Sequence, residues 1–288
     1  MCKVIGKQGL SPTIIRRDIR SDDLVARRKP GQFVALMTDR FSRLAPFNVY
    51  DIDWRRKCIS IVYEVSDDDT RKMAELKIND DIFVVKGPFG AGYLPPKKST
   101  VVFIGEEIGL ASLVGLCRAA KAAGNKVIGL AGFATRQTSL LENQMRLNCN
   151  KFYVMYKDGM HERRGDILSP LKKILAEEKV LEIYAHTTTE TLKEIFYLVW
   201  SNNVPLKVNV MGLLDQRPGF FETTSIALKD ERYFPAVDGI FVDAGRIDIH
   251  EMIAESRGLK EYRECRKNEA ALSAQKNGFA RLKKFIWG

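Results

Sequence analysis

Residues 100–115, TVVFIGEEIGLASLVG, constrain the fold more than any other stretch of the chain. Val101, Val102, Phe103 and Ile104 make an unbroken apolar run, the pattern of a strand buried on both faces of a parallel sheet. A turn follows at Gly105, and a helical apolar period begins near Leu110. Strand, glycine turn and helix is how α/β proteins hold a dinucleotide, because the loop backbone approaches the pyrophosphate and the helix N-terminus faces it. Such loops favour glycine, since a side chain blocks that approach. Here Glu106 and Glu107 occupy the middle of the turn. Two like charges about 4 Å apart cost roughly 4 kcal/mol at an effective dielectric of about 20. A loss of even about 1.4 kcal/mol is tenfold in affinity. Without a nucleotide, the two acids read as a solvated turn that favours the following helix N-terminus.

The rest of the chain divides around this stretch. At 288 residues it is long enough for two domains, each with its own core. Residues 1–96 carry short alternating segments at 13–15, 32–36, 59–63 and 81–85. Turn signals at 29–31, 79–81 and 87–90 separate them. This spacing predicts a small antiparallel barrel. A short helix is predicted over 70–76, with Thr70 or Asp69 as N-cap, and residues 95–98 (PPKK) read as a linker. Residues 97–210 alternate strand and helix. Further strands are predicted at 126–131, 152–156, 181–185 and 206–210, with helices ending near 123 and over 140–147 and 190–200, and one capped by Asp166. Repeated β-α units imply a parallel sheet with helices on both faces. Residues 211–250 show no core-forming period, and 251–288 form a charged helical tail with Phe279, Leu282 and Ile286 on one face. That face either packs on its own domain or docks a partner subunit.

Composition narrows the function classes. No run of about twenty apolar residues occurs, so no membrane helix is expected. The start, MCKVIGKQGL, lacks an apolar signal region, which predicts a cytoplasmic protein. The five cysteines are far apart with no CxxC pair, which suits a reducing compartment and argues against a disulfide framework or a local metal knot. The formal charge of +10 is spread in short clusters such as Arg16-Arg17 and Lys97-Lys98, without a nucleic-acid recognition motif, so no nucleic-acid partner is expected.

The motifs in their order resemble the ferredoxin–NADP reductase superfamily, in which a barrel precedes a nucleotide-binding α/β domain. Residues 30–34 (PGQFV), 87–90 (GPFG), 105–113 (GEEIGLASL), 124–128 (GNKVI), 132–136 (GFATR) and 234–239 (FPAVDG) carry the likeness. They are similar to one branch, which holds the electron-transfer subunit of dihydroorotate dehydrogenase. The same branch holds the small subunit of NADH-dependent reduced ferredoxin:NADP oxidoreductase, with its sulfide dehydrogenase and sulfhydrogenase gamma relatives, and these are the nearer match.

The resemblance implies FAD in the barrel, NAD(P)H on the α/β domain, a 2Fe-2S cluster in the C-terminal part, and a larger flavin and iron–sulfur partner subunit related to glutamate synthase. On the flavin side it points to Arg43 for the phosphates, displaced by at least one residue from its usual place before Pro46. Phe47, Asn48 and Val49 follow, with Phe47 to stack on a ring and Asn48 to hydrogen-bond it. Thr70 ends the second phosphate turn, where Asp67, Asp68 and Asp69 replace the usual glycine, and Gly87 opens the barrel's last turn. On the nucleotide side it points to Gly105, Gly109, Thr135 and Arg136, with His186 at a strand end as a proton-donor candidate. The cluster ligands fall on Leu213, Pro218, Phe221 and Ala236, which cannot ligate iron, so no 2Fe-2S cluster is expected. Two functional readings stay open: an electron-transfer oxidoreductase subunit with altered cofactor sites, and a non-catalytic subunit that keeps the fold and its docking surfaces.

Overall fold

The computed structural model describes residues 2–158, 164–213, 223–228 and 231–248. All belong to one compact unit, Met1–Asp248. The predicted tail, with Phe279, Leu282 and Ile286, lies outside the described residues.

Six antiparallel strands build the first half: β1 (Lys3–Gly9), β2 (Ile14–Arg20), β3 (Phe33–Met37), β4 (Ala45–Asp53), β5 (Cys58–Glu64) and β6 (Val84–Phe89), in the order β1-β2-β5-β4-β3-β6. The two edges meet. Val4 N donates to Asp80 O and Ile82 N to Cys2 O, both at 3.0 Å, so the segment leading into β6 closes the sheet on β1. The expected barrel is therefore present. Its interior is lined by side chains at alternate positions, among them Val34, Phe47, Val49, Ile59 and Ile61.

Local details differ from expectation. β1, β4 and the helix α1 (Asp22–Arg27) were not anticipated, and the strand expected at 81–85 lies at Val84–Phe89. Gly87 and Pro88 thus belong to a strand and not to a turn; β6 pairs only with β3, and an edge strand tolerates proline. The helix α2 spans Asp68–Glu75, and its cap is Asp67, not Thr70 or Asp69. Asp67 Oδ1 accepts from Thr70 N at 2.9 Å, while Thr70 Oγ1 accepts from Asp67 N at 3.0 Å, a reciprocal capping box.

Arg17 holds the other end of α2. It is fully buried, and its Nη2 donates to Met73 O at 2.8 Å and Ala74 O at 2.7 Å. A guanidinium at a helix C-terminus satisfies carbonyls that the last turn leaves unpaired.

The second half is a sheet of β7 (Thr100–Glu106), β8 (Lys126–Phe133), β9 (Lys151–Tyr156), β10 (Val180–His186) and β11 (Leu206–Asn209), all parallel. Helices α3 (Ala111–Ala122), α4 (Glu142–Asn148), α5 (Leu168–Glu177) and α6 (Thr189–Ser201) connect them. The segment expected to be irregular contributes more than loops. After a two-stranded ribbon, β12 (Ile226–Ala227) and β13 (Arg232–Tyr233), and the short helix α7 (Pro235–Asp238), β14 (Phe241–Asp243) adds an antiparallel sixth strand beside β11. Three residues are too few to show a period, yet Ile240 and Val242 are buried. The order is β14-β11-β10-β7-β8-β9, so successive strands run one way from β7 and the other way from β10. The gap between the C-terminal ends of β7 and β10 is the switch point, where open α/β sheets place their ligands. No helix among the described residues is long and apolar enough to cross a membrane.

Arg17→Ala should destabilise the chain by about 3 kcal/mol, because it leaves a cavity and two carbonyls without their donor. A urea midpoint within error of wild type would show that Arg17 does not anchor α2.

Candidate functional site

At the switch point the two acids are not a solvated turn. Glu106 is the last residue of β7 and is 5% exposed. Its Oε2 accepts from Thr188 N at 2.9 Å and Thr188 Oγ1 at 2.8 Å. Its Oε1 accepts from Thr191 Oγ1 at 3.0 Å and pairs with Lys157 Nζ at 3.3 Å. Thr188 is the N-cap of α6, so Glu106 serves that helix and not α3, which follows it in sequence. Burial is possible because both oxygens are met by several donors, one of them cationic.

Glu107 reaches the other way. Its Oε1 accepts from Ala134 N, just beyond β8, at 2.5 Å. Burial raises its carboxyl pKa, and the Glu106 charge adds to that rise. Its φ is +48°, a left-handed conformation that glycine adopts far more readily. One glutamate therefore ties β7 to the start of α6 across the switch point, and the other ties it to the end of β8 on the opposite side.

The neighbouring glycines answer to the chain's own packing. A Cβ at Gly105 would stand 2.9 Å from Leu110 Cα, and one at Gly109 would stand 2.3 Å from His186 O. His186 Nδ1 lies 2.9 Å from Ser112 Oγ, which donates its proton to Gly109 O at 2.8 Å. The hydroxyl has one proton, so Nδ1 is the donor to Ser112. Burial pushes the His186 pKa down to about 4, leaving the imidazole neutral near pH 7 and unsuited to the proton-donor role. Thr135 and Arg136 sit in the turn after β8. Thr135 Oγ1 accepts from Thr138 N at 3.2 Å, and the Arg136 side chain is exposed.

On the barrel, strand alternation separates the expected flavin residues. Phe47 and Val49 point inward; Phe47 packs edge-on to Tyr63 with centroids 5.5 Å apart and is not placed to stack on a ligand. Pro46 and Asn48 lie on the outer face, paired in register with Ala35 and Phe33. That face is covered. Ile240 packs against Phe33, Ala35 and Leu44, with Met211 and Phe89 beside them, and Asn48 Nδ2 donates to Met211 Sδ at 3.4 Å. Gly87, at φ +122°, holds a backbone conformation that side chains rarely adopt, and a Cβ there would lie 3.2 Å from Phe33 O.

Arg43 is committed as well. Its Nε donates to Asp69 Oδ2 at 2.5 Å and its Nη2 to Asp67 Oδ2 at 2.7 Å, while its backbone N donates to Asp69 Oδ1 at 3.2 Å. Burial works against the Asp67 charge, but Thr70 and Arg43 outweigh it and hold its pKa below the usual carboxylate range. Two of the donors that a dinucleotide's phosphates would meet here, the Arg43 guanidinium and the first turn of α2, are thus already engaged by carboxylates.

Of the four cluster positions, Ala236 is buried in α7 and Leu213 ends a short 3-10 turn, whereas Pro218 and Phe221 lie outside the described residues. No group of three or more His, Cys, Asp or Glu among the described residues is placed to hold a metal ion. A cavity of about 270 Å³ lies between the barrel's exit loop and β14, lined by Tyr93, Tyr184, Lys207 and Tyr233 and by none of the expected cofactor residues. The partners of Glu106, namely Lys157, Thr188 and Thr191, were not singled out from sequence. Their signal is modest: threonines spaced i and i+3 at a helix start, and a lysine just past a strand.

Comparison with known proteins agrees with this architecture. No family model matches the chain. It is 22% identical over 265 residues to a Thermotoga maritima homologue of the dihydroorotate dehydrogenase B (NAD(+)) electron-transfer subunit, covering 92% of this chain and 93% of that one. It is 28% identical to the corresponding Streptococcus thermophilus subunit, over 56% of this chain and 64% of that one. Among solved structures, one from work on the NADH-dependent reduced ferredoxin–NADP oxidoreductase superposes with a TM-score of 0.79 at 20% identity, covering 92% and 97% of the two chains. A Plasmodium falciparum ferredoxin–NADP+ reductase superposes with a TM-score of 0.58 at 15% identity, covering 72% and 94%. The fold is ferredoxin reductase-like, as the motifs led us to expect.

Two measurements test the site's packing. Gly109→Ala should lower stability markedly, by about 2 kcal/mol or more, since its Cβ meets backbone; an unchanged melting temperature would refute the close contact with His186. The unfolded His186 titrates near about 6.5, above its folded value of about 4. The unfolded chain therefore binds more protons in that window, and stability should fall as pH drops from about 6.5 to about 4. His186→Asn should flatten part of that slope, and identical pH profiles of the urea midpoint would sink the assignment.

Proposed function

We propose that this ferredoxin reductase-like chain is a subunit of a flavin-dependent electron-transfer assembly and does not itself take hydride from NAD(P)H. Its role is then to stabilise or regulate a larger flavin and iron–sulfur oxidoreductase subunit, to which it docks through the retained fold. The kinship with electron-transfer subunits supports the setting. A cytoplasmic place fits the free, unbridged thiols of Cys2, Cys58, Cys117 and Cys149.

The observation that carries the catalytic part is the Glu106 latch across β7 and β10. A nucleotide at the switch point would have to displace it or lie against its charge. Leaving a buried carboxylate without its partners costs about 3–5 kcal/mol, which is more than a hundredfold in affinity. The opposing reading, a subunit that relays hydride electrons through its own FAD, draws on the exposed turn at Thr135 and Arg136, which remains reachable at the end of β8.

Titration of the purified chain with NADH and NADPH, followed by calorimetry, separates the two. The expected result is no binding by wild type in the micromolar range, and a gain of at least about tenfold in affinity for Glu106→Gly/Glu107→Gly, which removes both charges and relieves the left-handed strain. Micromolar binding by wild type would overturn the proposal. So would a folded double variant with no gain.

A further inference from the structure

We infer that the chain closes its own flavin site, with Asp67 and Asp69 standing in for the diphosphate that would otherwise neutralise Arg43. This deepens the reading above and rests on it for the assignment of the barrel as a flavin-type module. Three features of the described side chains support it.

The first is charge. A dinucleotide diphosphate brings about two negative charges to a guanidinium and a helix N-terminus. Asp67 and Asp69 supply two carboxylates to the same two elements. Both contact the Arg43 guanidinium, at 2.7 Å and 2.5 Å, and Asp67 also accepts from Thr70 N in the first turn of α2 at 2.9 Å. The second is commitment. Asp67 belongs to a reciprocal capping box, and Asp69 receives both Nε and the backbone N of Arg43, so neither carboxylate leaves without exposing unpaired donors. A phosphate approaching Arg43 would meet both of them as like charges within a few ångströms. The third concerns the other end of the ligand. On the outer barrel face, where a flavin ring would lie, Ile240 covers Phe33 and Ala35, and Met211 reaches the half-buried Asn48. The phosphate end and the ring end are thus closed by different parts of the chain, the first by α2 and the second by the segment after β11.

The consequence is that the subunit holds no flavin, and that any flavin in its assembly belongs to the partner. The same closure ties the β3–β4 loop to α2 without a cofactor.

The experiment measures FAD and ADP binding by calorimetry, and flavin absorbance after purification, for wild type and for Asp67→Asn/Asp69→Asn. Asparagine keeps a helix cap while removing the charge. Wild type should be colourless and bind neither ligand in the micromolar range. The double variant should bind ADP at least about tenfold more tightly, with the gain abolished by adding Arg43→Gln and reduced by salt. Asp69→Asn alone leaves the Asp67 cap intact and should give a smaller gain, which keeps the test available if the double variant does not fold. Stoichiometric flavin in wild type overturns the inference, as does a folded variant whose ADP affinity is unchanged. The nicotinamide proposal fails separately: FAD bound without NAD(P)H sinks only this inference, and NAD(P)H bound without FAD sinks only the other.

Discussion

A charge buried at the end of a central strand has to be met where it stands, and Glu106 imposes that requirement on the whole C-terminal edge of the sheet. Its donors come from the cap and first turn of α6 and from Lys157 beyond β9, so those elements must arrive together. The same edge is drawn tighter by Gly109, whose missing Cβ lets the turn after β7 lie against the carbonyl of His186 at the end of β10. Ser112 then bridges Gly109 O and His186 Nδ1, joining the first turn of α3 to β10. The result is one packed knot, tied by side chains, at the point where an open sheet would otherwise part to admit a ligand.

A second set of contacts holds the barrel to the sheet. Ile240 sits against the outer barrel face, and β14, which follows at once, is hydrogen-bonded to β11. Gly90 N donates to Ala236 O at 2.9 Å, and a Cβ at Gly90 would lie 2.9 Å from Gly239 Cα, so two backbones pass at a distance that only glycine permits. Arg118 of α3 pairs with Asp51 of β4 at 2.5 Å, a half-exposed link that contributes orientation more than stability. The segment that in sequence looked irregular is thus the strap between the two halves. Ile240 and Met211 pack on the barrel face, while Phe241 also meets Tyr184 of the sheet edge-on, with centroids 5.5 Å apart.

Much of the fold was legible because it rests on period. The runs at 101–104, 126–131 and 152–156 are apolar enough to announce parallel strands, and all three appear within two residues of expectation. β4 was missed because its inward residues Phe47 and Val49 alternate with Pro46, Asn48 and Asp51, which read as turn chemistry. β1, with glycines at 6 and 9, was missed for the same reason. The site was less legible. Sequence spacing gives no sign that Thr188 and Glu106, 82 positions apart, share a hydrogen bond, and without that partner a glutamate pair in a turn has no reason to be anything but solvated. Asp67 rather than Thr70 as the cap was equally hidden, since both residues take part in the capping box and only the backbone decides which is outside the helix.

The aspartates and glutamates that made the cofactor sites look repulsive have a different physical meaning once their partners are known. A helix N-terminus and an arginine beside it present unpaired N–H groups and positive charge wherever no anion meets them. Burying such groups without an anion costs free energy. Asp67 and Asp69 answer that need at α2 and Arg43, and Glu106 answers it at Thr188 N and α6. In each case a carboxylate of the chain's own meets the donors at a helix N-terminus, and the scaffold around it needs no other anion to hold that geometry. Such a scaffold is held by the chain's own charges, so its persistence is not by itself evidence that a cofactor is bound.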